Sequence, residues 1–506
     1  MNRKLLVLPD DEHNQLLLSN VHPHDWVNPE PASRYNLVVI GAGTAGLITA
    51  VGAAGLGARV AMVERMFMGG DCLNVGCVPS KAIIRSSRVV GEMWNSPDYG
   101  LDYPGSFPVN FSKVMERMRR LRAQISDHDS VIRFKSLGVD VFLGEGQFKD
   151  SRNLEVDGKT LRFKKAVIAA GARPAHPTIE GIDEAGFLTN ETVFSLTERP
   201  EKLVVIGGGP IGCELAQAFN RLGSKVTIVQ RNVQFLPRED PEAAAILGKI
   251  FEKEGIRCVL SASVKKVNVD NGKKKVHVSS KEGDETIEAD EILVGIGRSP
   301  NVEGLNLEAV GVEYDARKGV VVNDYLQTTN SNIYAAGDIC FPYKFTHIAE
   351  ATARIVIQNS LFLKSKKHKS LVIPWCTYTD PEIAHVGMYE KDAQAKGIPV
   401  ETFTRYFKEV DRAVTDGEEE GFVKVHVKKG KDKILGATVV SKHAGELISE
   451  ITLAMVAGKG LKTLANVIHP YPTQAEAIKQ VAGQYYAQKL TPFIKRLLKR
   501  WFSWKR

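Results

Sequence analysis

With 506 residues, 43% apolar and 25% charged, the chain is too long for one hydrophobic core and has an ordinary globular composition, so roughly two to four domains are expected. The net charge of +8 does not mark a nucleic-acid binder: residues 491–506 alone hold six Lys or Arg and no acid, and the body shows no zinc-finger spacing or basic stripe. Six cysteines over this length make no disulfide framework, which points to a reducing, cytoplasmic compartment.

Residues 1–34 read as a polar, proline-bearing extension. Its opening, MNRKLLVLPDDEHNQ, has only a short apolar run ahead of its acids and does not read as a signal peptide. His13, His22 and His24 read as solvated rather than metal-binding, and no resident metal is expected. From Tyr35 the sequence predicts strand, glycine turn, helix and second strand: YNLVVIGAGTAGLITAVGAAGLGARVAMVER carries Gly41-x-Gly43-x-x-Gly46 and reaches Glu64 at the end of the second strand. Residues 37–58 lack charge, but six glycines interrupt the run and favour this turn over a membrane span.

Next comes GGDCLNVGCVPSKAII, in which Gly69 and Gly70 permit close backbone approach and PSK sits where a helix begins or continues. Cys72 and Cys77, five apart, can be bridged in a distorted turn, and a redox disulfide is the leading reading. The other readings are two inert thiols or a metal site, and a structural zinc lacks the second cysteine pair it needs. Cys213, Cys258, Cys340 and Cys376 are scattered and read as core or pocket-lining residues. GEGQF and AVIAAGARP are predicted strands with glycine turns.

KLVVIGGGPIGCELAQAFNRLGSKVTIVQR then repeats the first cradle with Gly207, Gly209 and Gly212, and Gln230 followed by Arg231 stands where Glu64 stands in the first. Two such cradles imply two dinucleotides, one giving electrons and one receiving them. ILVGIGRSPN closes the second cradle, and NIYAAGDI aims Asp338 at a ligand. From about residue 370 to 490, strands such as FVKVHVKK and ILGATVVS mix with the helix AGELISEITLAMVAG, as in a third domain. The expected class is α/β, with two Rossmann-like dinucleotide-binding domains and an α+β C-terminal domain.

Over about residues 35 to 490 the chain resembles the class I pyridine nucleotide-disulfide oxidoreductases, flavoenzymes that include dihydrolipoyl dehydrogenase, glutathione reductase and mercuric reductase; GGDCLNVGCVPSK is the most specific element. The motifs divide the chain into an extension at 1–34, segments at 35–180, 181–300, 301–369 and 370–490, and a tail at 491–506; the resemblance implies that 35–180 and 301–369 together bind FAD, that 181–300 binds NAD(P), and that 370–490 is the homodimerisation domain. It implies FAD on Gly41, Gly43 and Gly46, with Glu64 on the ribose, Gly70, Gly146 and Gly171 as further contacts, and Asp338 on the ribityl chain. Lys81, paired with Glu214, would lie near the reactive edge of the isoalloxazine. The nicotinamide cofactor would take Gly207, Gly209 and Gly212, with Gly297 beside it. Cys77 would be the flavin-facing thiolate and Cys72 the thiol that attacks substrate.

An acid at position 230 would hold the ribose hydroxyl of NADH and repel a 2′-phosphate; Gln230 removes that repulsion and Arg231 can pair with the phosphate, so NADPH is the expected donor, with NADH possible and a merely solvated Arg231 as the alternative. Near the C-terminus HPYPTQAE puts Tyr471 where disulfide reductases of the family carry an acid–base histidine, ahead of Pro472, Thr473 and Glu476. Tyrosine is a poor base at neutral pH, and His469 is the nearby substitute. This tyrosine is similar to mercuric reductase, yet no cysteine follows Cys376 and no N-terminal metal-binding cysteine pair is present.

The expected function is an FAD-dependent, mercuric-reductase-like NAD(P)H:disulfide oxidoreductase with an unassigned small-molecule acceptor. The alternatives are reduction of Hg(II) or a quinone, and a flavin-bearing redox sensor or membrane-surface protein. In the tail, TPFIKRLLKRWFSWKR, a helix would align Leu490, Ile494, Leu497, Trp501 and Trp504 on one side and put Lys495, Arg496, Lys499 and Arg500 on others. That apolar side either packs on the chain's own C-terminal domain or lies on an anionic membrane surface; the segment is too short and too charged to span a bilayer.

Overall fold

The computed structural model describes residues 7–102 and 108–506; the first six residues, part of the opening read against a signal peptide, lie outside the described residues. The chain forms two compact units, one of residues up to 231 with Ser261–Leu371, the other of Asn232–Leu260 with Val372–Arg506.

The first unit opens with helix α1 (Glu12–Val21), followed by β1 (Tyr35–Ile40), α2 (Thr44–Gly55), β2 (Val60–Glu64), α3 (Gly70–Asn74), α4 (Cys77–Trp94), α5 (Phe111–Ser126), β3 (Val139–Leu143), β4 (Gly146–Asp150), β5 (Asn153–Val156) and β6 (Lys159–Ile168). The strands order β3-β2-β1-β6-β5-β4. β1 is parallel to β2 and β6, and all five residues of β2 are buried, as a strand covered on both faces requires. A second parallel group sets β7 (Lys202–Ile206) between β8 (Lys225–Gln230) and β9 (Glu291–Val294), with helix α6 (Pro210–Arg221) after β7. β10 (Ile333–Ala335) joins the first sheet beside β6, and α7 (Thr346–Leu361) follows. Ile40, Val63, Ile168 and Ala335 share one end of the first sheet through their register, so the loops after β1, β2, β6 and β10 leave from a common edge. Ligands of open α/β sheets bind at such carboxyl ends.

The N-terminal extension is not a solvated loop. Asp11 caps α1 by accepting from Asn14 N, and Asn14, Leu17 and Val21 are buried. Arg119 of α5 ion-pairs with Asp11, while buried Arg122 donates to Asn14 Oδ1 and to the carbonyl of Asn74, each at 2.7 Å. His13 and His22 are half-buried, His22 pairing with the Met66 carbonyl, and only His24 is exposed. The apolar signal of a ten-residue helix is too short to read alone; its burial depends on arginines more than a hundred residues away.

In the second unit β11 (Pro374–Thr377), β12 (Glu382–Gly387), β13 (Val400–Tyr406), β14 (Phe422–Lys428) and β15 (Ile434–Ser441) form an antiparallel sheet in the order β11-β12-β15-β14-β13. Helices α8 (Ala444–Val456) and α9 (Glu476–Lys489) cover it, with Ile448, Ile451, Ile478 and Val481 packed against Val425, Ala437 and Val439. Helix α10 (Pro492–Trp504) is capped by Thr491, and none of its side chains is buried, so the tail does not pack on this unit. Among the described residues no helix is long and apolar enough to cross a membrane.

Arg122→Met keeps bulk but removes both donors. It is expected to cost about 2–4 kcal/mol and to raise hydrogen exchange over Glu12–Val21 and Gly70–Asn74. Unchanged exchange in both segments would contradict this account of the extension.

Candidate active site

The two glycine turns have the same construction. Gly41 and Gly207 have φ of +101° and +110°, and a Cβ at either would fall 2.4 or 2.5 Å from the carbonyl oxygen of Ala169 or Gly295. At Gly46 and Gly212 a Cβ would lie 1.7 and 2.0 Å from the carbonyl oxygens of Gly41 and Gly207. These four are glycine because the protein leaves no room. Gly43 and Gly209 differ: their φ values, −76° and −80°, suit any residue, and a Cβ would meet nothing closer than 3.7 or 3.8 Å. No protein atom demands glycine there, whereas a pyrophosphate lying against the start of α2 or α6 does, so these residues fit FAD in one turn and a nicotinamide dinucleotide in the other.

The residue ending each second strand ties down its own turn. Glu64 accepts from Ala42 N at 2.6 Å and Met66 N at 2.7 Å; Gln230 accepts from Gly208 N at 3.4 Å and Arg231 N at 3.1 Å. Burial raises the pKa of Glu64, opposed by those backbone donors. Glu64 faces a cleft also bounded by Gly41, Gly146, Arg65 and Asn301. Gly146 is small for packing, since a Cβ would lie 3.1 Å from Val63 Cγ1, and Gly171 and Gly297 hold φ of +68° and +128° in open loops. Arg231 is exposed.

Gly70 sits against the first turn, a Cβ there falling 2.6 Å from Gly43 Cα, and Gly69 N donates to the Ala42 carbonyl at 2.8 Å. The cysteine segment is thereby docked on the first cradle. Cys72, in α3, is half-buried, and Cys77, the first residue of α4, is exposed; neither is in a disulfide in this structure. Cys77 Sγ lies 3.4 Å from the hydroxyl of Thr346, which opens α7. The hydrogen bond from Cys72 holds the Cys77 thiol down to about 6 against desolvation, helped by Thr346 and the Lys81 charge. The same hydrogen bond, with burial, pushes Cys72 up. A helix start also favours a thiolate, so the surroundings of Cys77 bias it toward the charged form more than those of Cys72.

One helical turn beyond Cys77, Lys81 Nζ donates to Glu214 Oε2 of α6 at 2.8 Å. Asp338, in the turn after β10, is raised in pKa by burial and countered by Arg298, whose Nε is 3.7 Å away. The Arg298 guanidinium also hydrogen-bonds Asp71, next to Cys72. Sequence reasoning missed Thr346, Asp71 and Arg298; the one available signal was the arginine immediately after Gly297.

Tyr471, His469 and Glu476 belong to the C-terminal unit. Tyr471 is 70% exposed and donates to Asp411 Oδ2 at 3.0 Å, which raises its pKa further. His469 Nε2 is 3.1 Å from both carboxylate oxygens of Glu450, and its Nδ1 is buried without a hydrogen-bond partner. Glu476 opens α9.

Residues 35–353 match the family model described as pyridine nucleotide-disulphide oxidoreductase, and residues 373–482 match that family's dimerisation domain. The chain is 36% identical over 448 residues to a mercuric reductase of Staphylococcus aureus, covering 88% of this chain and 82% of that protein. It is 34% identical over 452 residues to a dihydrolipoyl dehydrogenase of Mycoplasma pneumoniae, covering 88% and 97%. Among solved structures it is similar to the HOCl-induced flavoprotein disulfide reductase RclA of Escherichia coli, with a TM-score of 0.79 and 28% identity over 89% of this chain and 99% of that one. The Cu(II) complex of RclA gives 0.80 at 27% identity, over 90% and 100%.

With FAD bound, Cys72→Ser is expected to show the long-wavelength absorbance of a thiolate against oxidised flavin at neutral pH, growing in as pH rises through a Cys77 pKa held below the ordinary thiol value by Thr346 and Lys81. Cys72→Ala removes the donor and Lys81→Met the charge, so each should move that midpoint upward. The same band in Cys77→Ser but not in Cys72→Ser would reverse the two roles.

Proposed function

Because the chain belongs to the pyridine nucleotide-disulphide oxidoreductases, we propose that it is a homodimeric enzyme that takes hydride from NADPH and delivers the electrons through a Cys72–Cys77 disulfide to a small-molecule acceptor. What carries the reading is the placement of a cysteine pair, with one thiol biased toward thiolate, against the first of two matching dinucleotide turns. FAD supplies, when bound, a two-electron relay between nicotinamide and disulfide. Gly43 and Glu64 hold its pyrophosphate and ribose ends, and Asp338, backed by Arg298, its ribityl chain. Lys81 keeps a positive charge beside Cys77, and buried Glu214 fixes where that charge sits.

In the reduced pair Cys72 passes its proton to Cys77 and attacks an acceptor disulfide as a thiolate, forming a mixed disulfide. The first leaving sulfur departs with the proton from Cys77, restoring the Cys77 thiolate, and the second takes its proton from water. The Cys77 thiolate then attacks Cys72 sulfur, closing the intramolecular disulfide and releasing the second thiol. The proton shared between Cys72 and Cys77 lies within the pair itself, which lessens the need for an outside base.

One observation favours a second acceptor class. Tyr471 stands where disulfide reductases of the family carry histidine, and its hydroxyl is tied to Asp411 with a raised pKa. A soft metal ion such as Hg(II) takes up no proton on two-electron reduction and so asks less of an acid–base partner than a disulfide does. Parallel assays of the FAD-loaded protein on low-molecular-weight disulfides, Hg(II), Cu(II) and quinones discriminate the two classes. Sustained NADPH oxidation with a disulfide supports the first reading; turnover with metal or quinone alone supports the second. Flavin reduction without turnover on any of them contradicts both.

Cys72→Ser and Cys77→Ser are each expected to abolish disulfide reduction while retaining FAD. The ratio of kcat/KM for NADPH over NADH should exceed one, and Arg231→Glu should lower the NADPH value by about 10- to 100-fold with little effect on NADH. A clear NADH preference in the unmodified enzyme contradicts the assignment of the donor.

A further inference from the structure

Helix α10 (Pro492–Trp504) is set off from α9 by Leu490 and by its own Thr491 cap with Pro492 behind it. At 3.6 residues per turn its seven large apolar side chains fall on one half of the circumference, centred on Leu497 and Trp501. Lys495, Arg496, Lys499, Arg500 and Ser503 fall on the other half, without a single exchange between the two. Every one of the seven apolar side chains has more than a third of its surface exposed, from 37% at Leu498 to 77% at Trp504. A continuous apolar face of this kind exceeds the scattered exposed hydrophobics normal for a soluble surface and marks an interaction site.

The charge identifies the occupant. Residues 477–506 hold eight Lys or Arg and no acid, which equals the net charge of the whole chain. We propose that α10 seats the protein on an anionic lipid surface, its apolar face in the acyl boundary and its cations among the phosphates. Trp501 and Trp504 suit that boundary because an indole has both an apolar body and an N–H donor. The helix is about 20 Å long against a hydrocarbon core of about 30 Å, so it lies in the plane and does not span. A protein partner, a second copy included, has less use for the three lysines of residues 491–506, because lysine is depleted from protein interfaces. Anionic lipid complements both faces at once.

Cosedimentation of the FAD-loaded full chain with vesicles of phosphatidylglycerol mixed into phosphatidylcholine, and with pure phosphatidylcholine, tests the proposal. Binding is expected to the anionic vesicles, to weaken as salt rises, and to be lost in a chain ending at Lys489 that still takes hydride from NADPH. Lys499→Gln with Arg500→Gln should weaken binding by on the order of tenfold or more, and Trp501→Ser should weaken it without changing its salt dependence. A full chain that ignores anionic vesicles, or a shortened chain that binds them equally well, overturns the proposal. So does a drop in solution mass on shortening, which would make a second copy the occupant.

Discussion

The ion pair between Lys81 and Glu214 joins the helix that carries the cysteines to the helix that opens the second dinucleotide turn. Glu214 is buried with 6% of its side chain exposed, and a carboxylate so placed depends on a charged partner. Further along the same two helices, Gly91 comes so close to Arg221 that a Cβ would lie 2.8 Å from the guanidinium. These two contacts fix α4 on α6 in both height and rotation. The cysteines therefore stand in a set position between the turn that fits FAD, on which Gly69 and Gly70 dock them, and the turn that fits the nicotinamide dinucleotide.

The two turns were legible in the sequence because part of their constraint is local: Gly46 and Gly212 exclude a side chain through the carbonyl of the turn's own first glycine, and Gly41 and Gly207 need a positive φ, although the carbonyls of Ala169 and Gly295 that also crowd them lie far along the chain. The equivalence of Glu64 and Gln230 was legible for the same reason, although its structural purpose, tying down the turn, was not. Thr346 acts on Cys77 across 269 residues and Arg298 on Asp71 across 227, and no spacing rule reaches so far. The helix Glu12–Val21 escaped notice because Asp11 and Asn14 are polar, and their arginine partners lie on α5. In the tail, periodicity identified the amphipathic helix but left open what its apolar face meets; the structure shows that face exposed.

The division of charge within the cysteine pair links fold to chemistry. Cys77 sits at the start of α4, beside the Thr346 hydroxyl and a turn from Lys81, and each of these favours its thiolate. Burial of Cys72 works the other way and pushes its pKa up.

The proposed function requires the Cys72–Cys77 pair to be a second two-electron store beside FAD. Anaerobic titration of the oxidised, FAD-loaded protein with dithionite counts those stores directly. The account predicts uptake of four electrons per chain, falling to two in Cys77→Ser. Uptake of two electrons by the unmodified protein, with no change on removing Cys77, would contradict it.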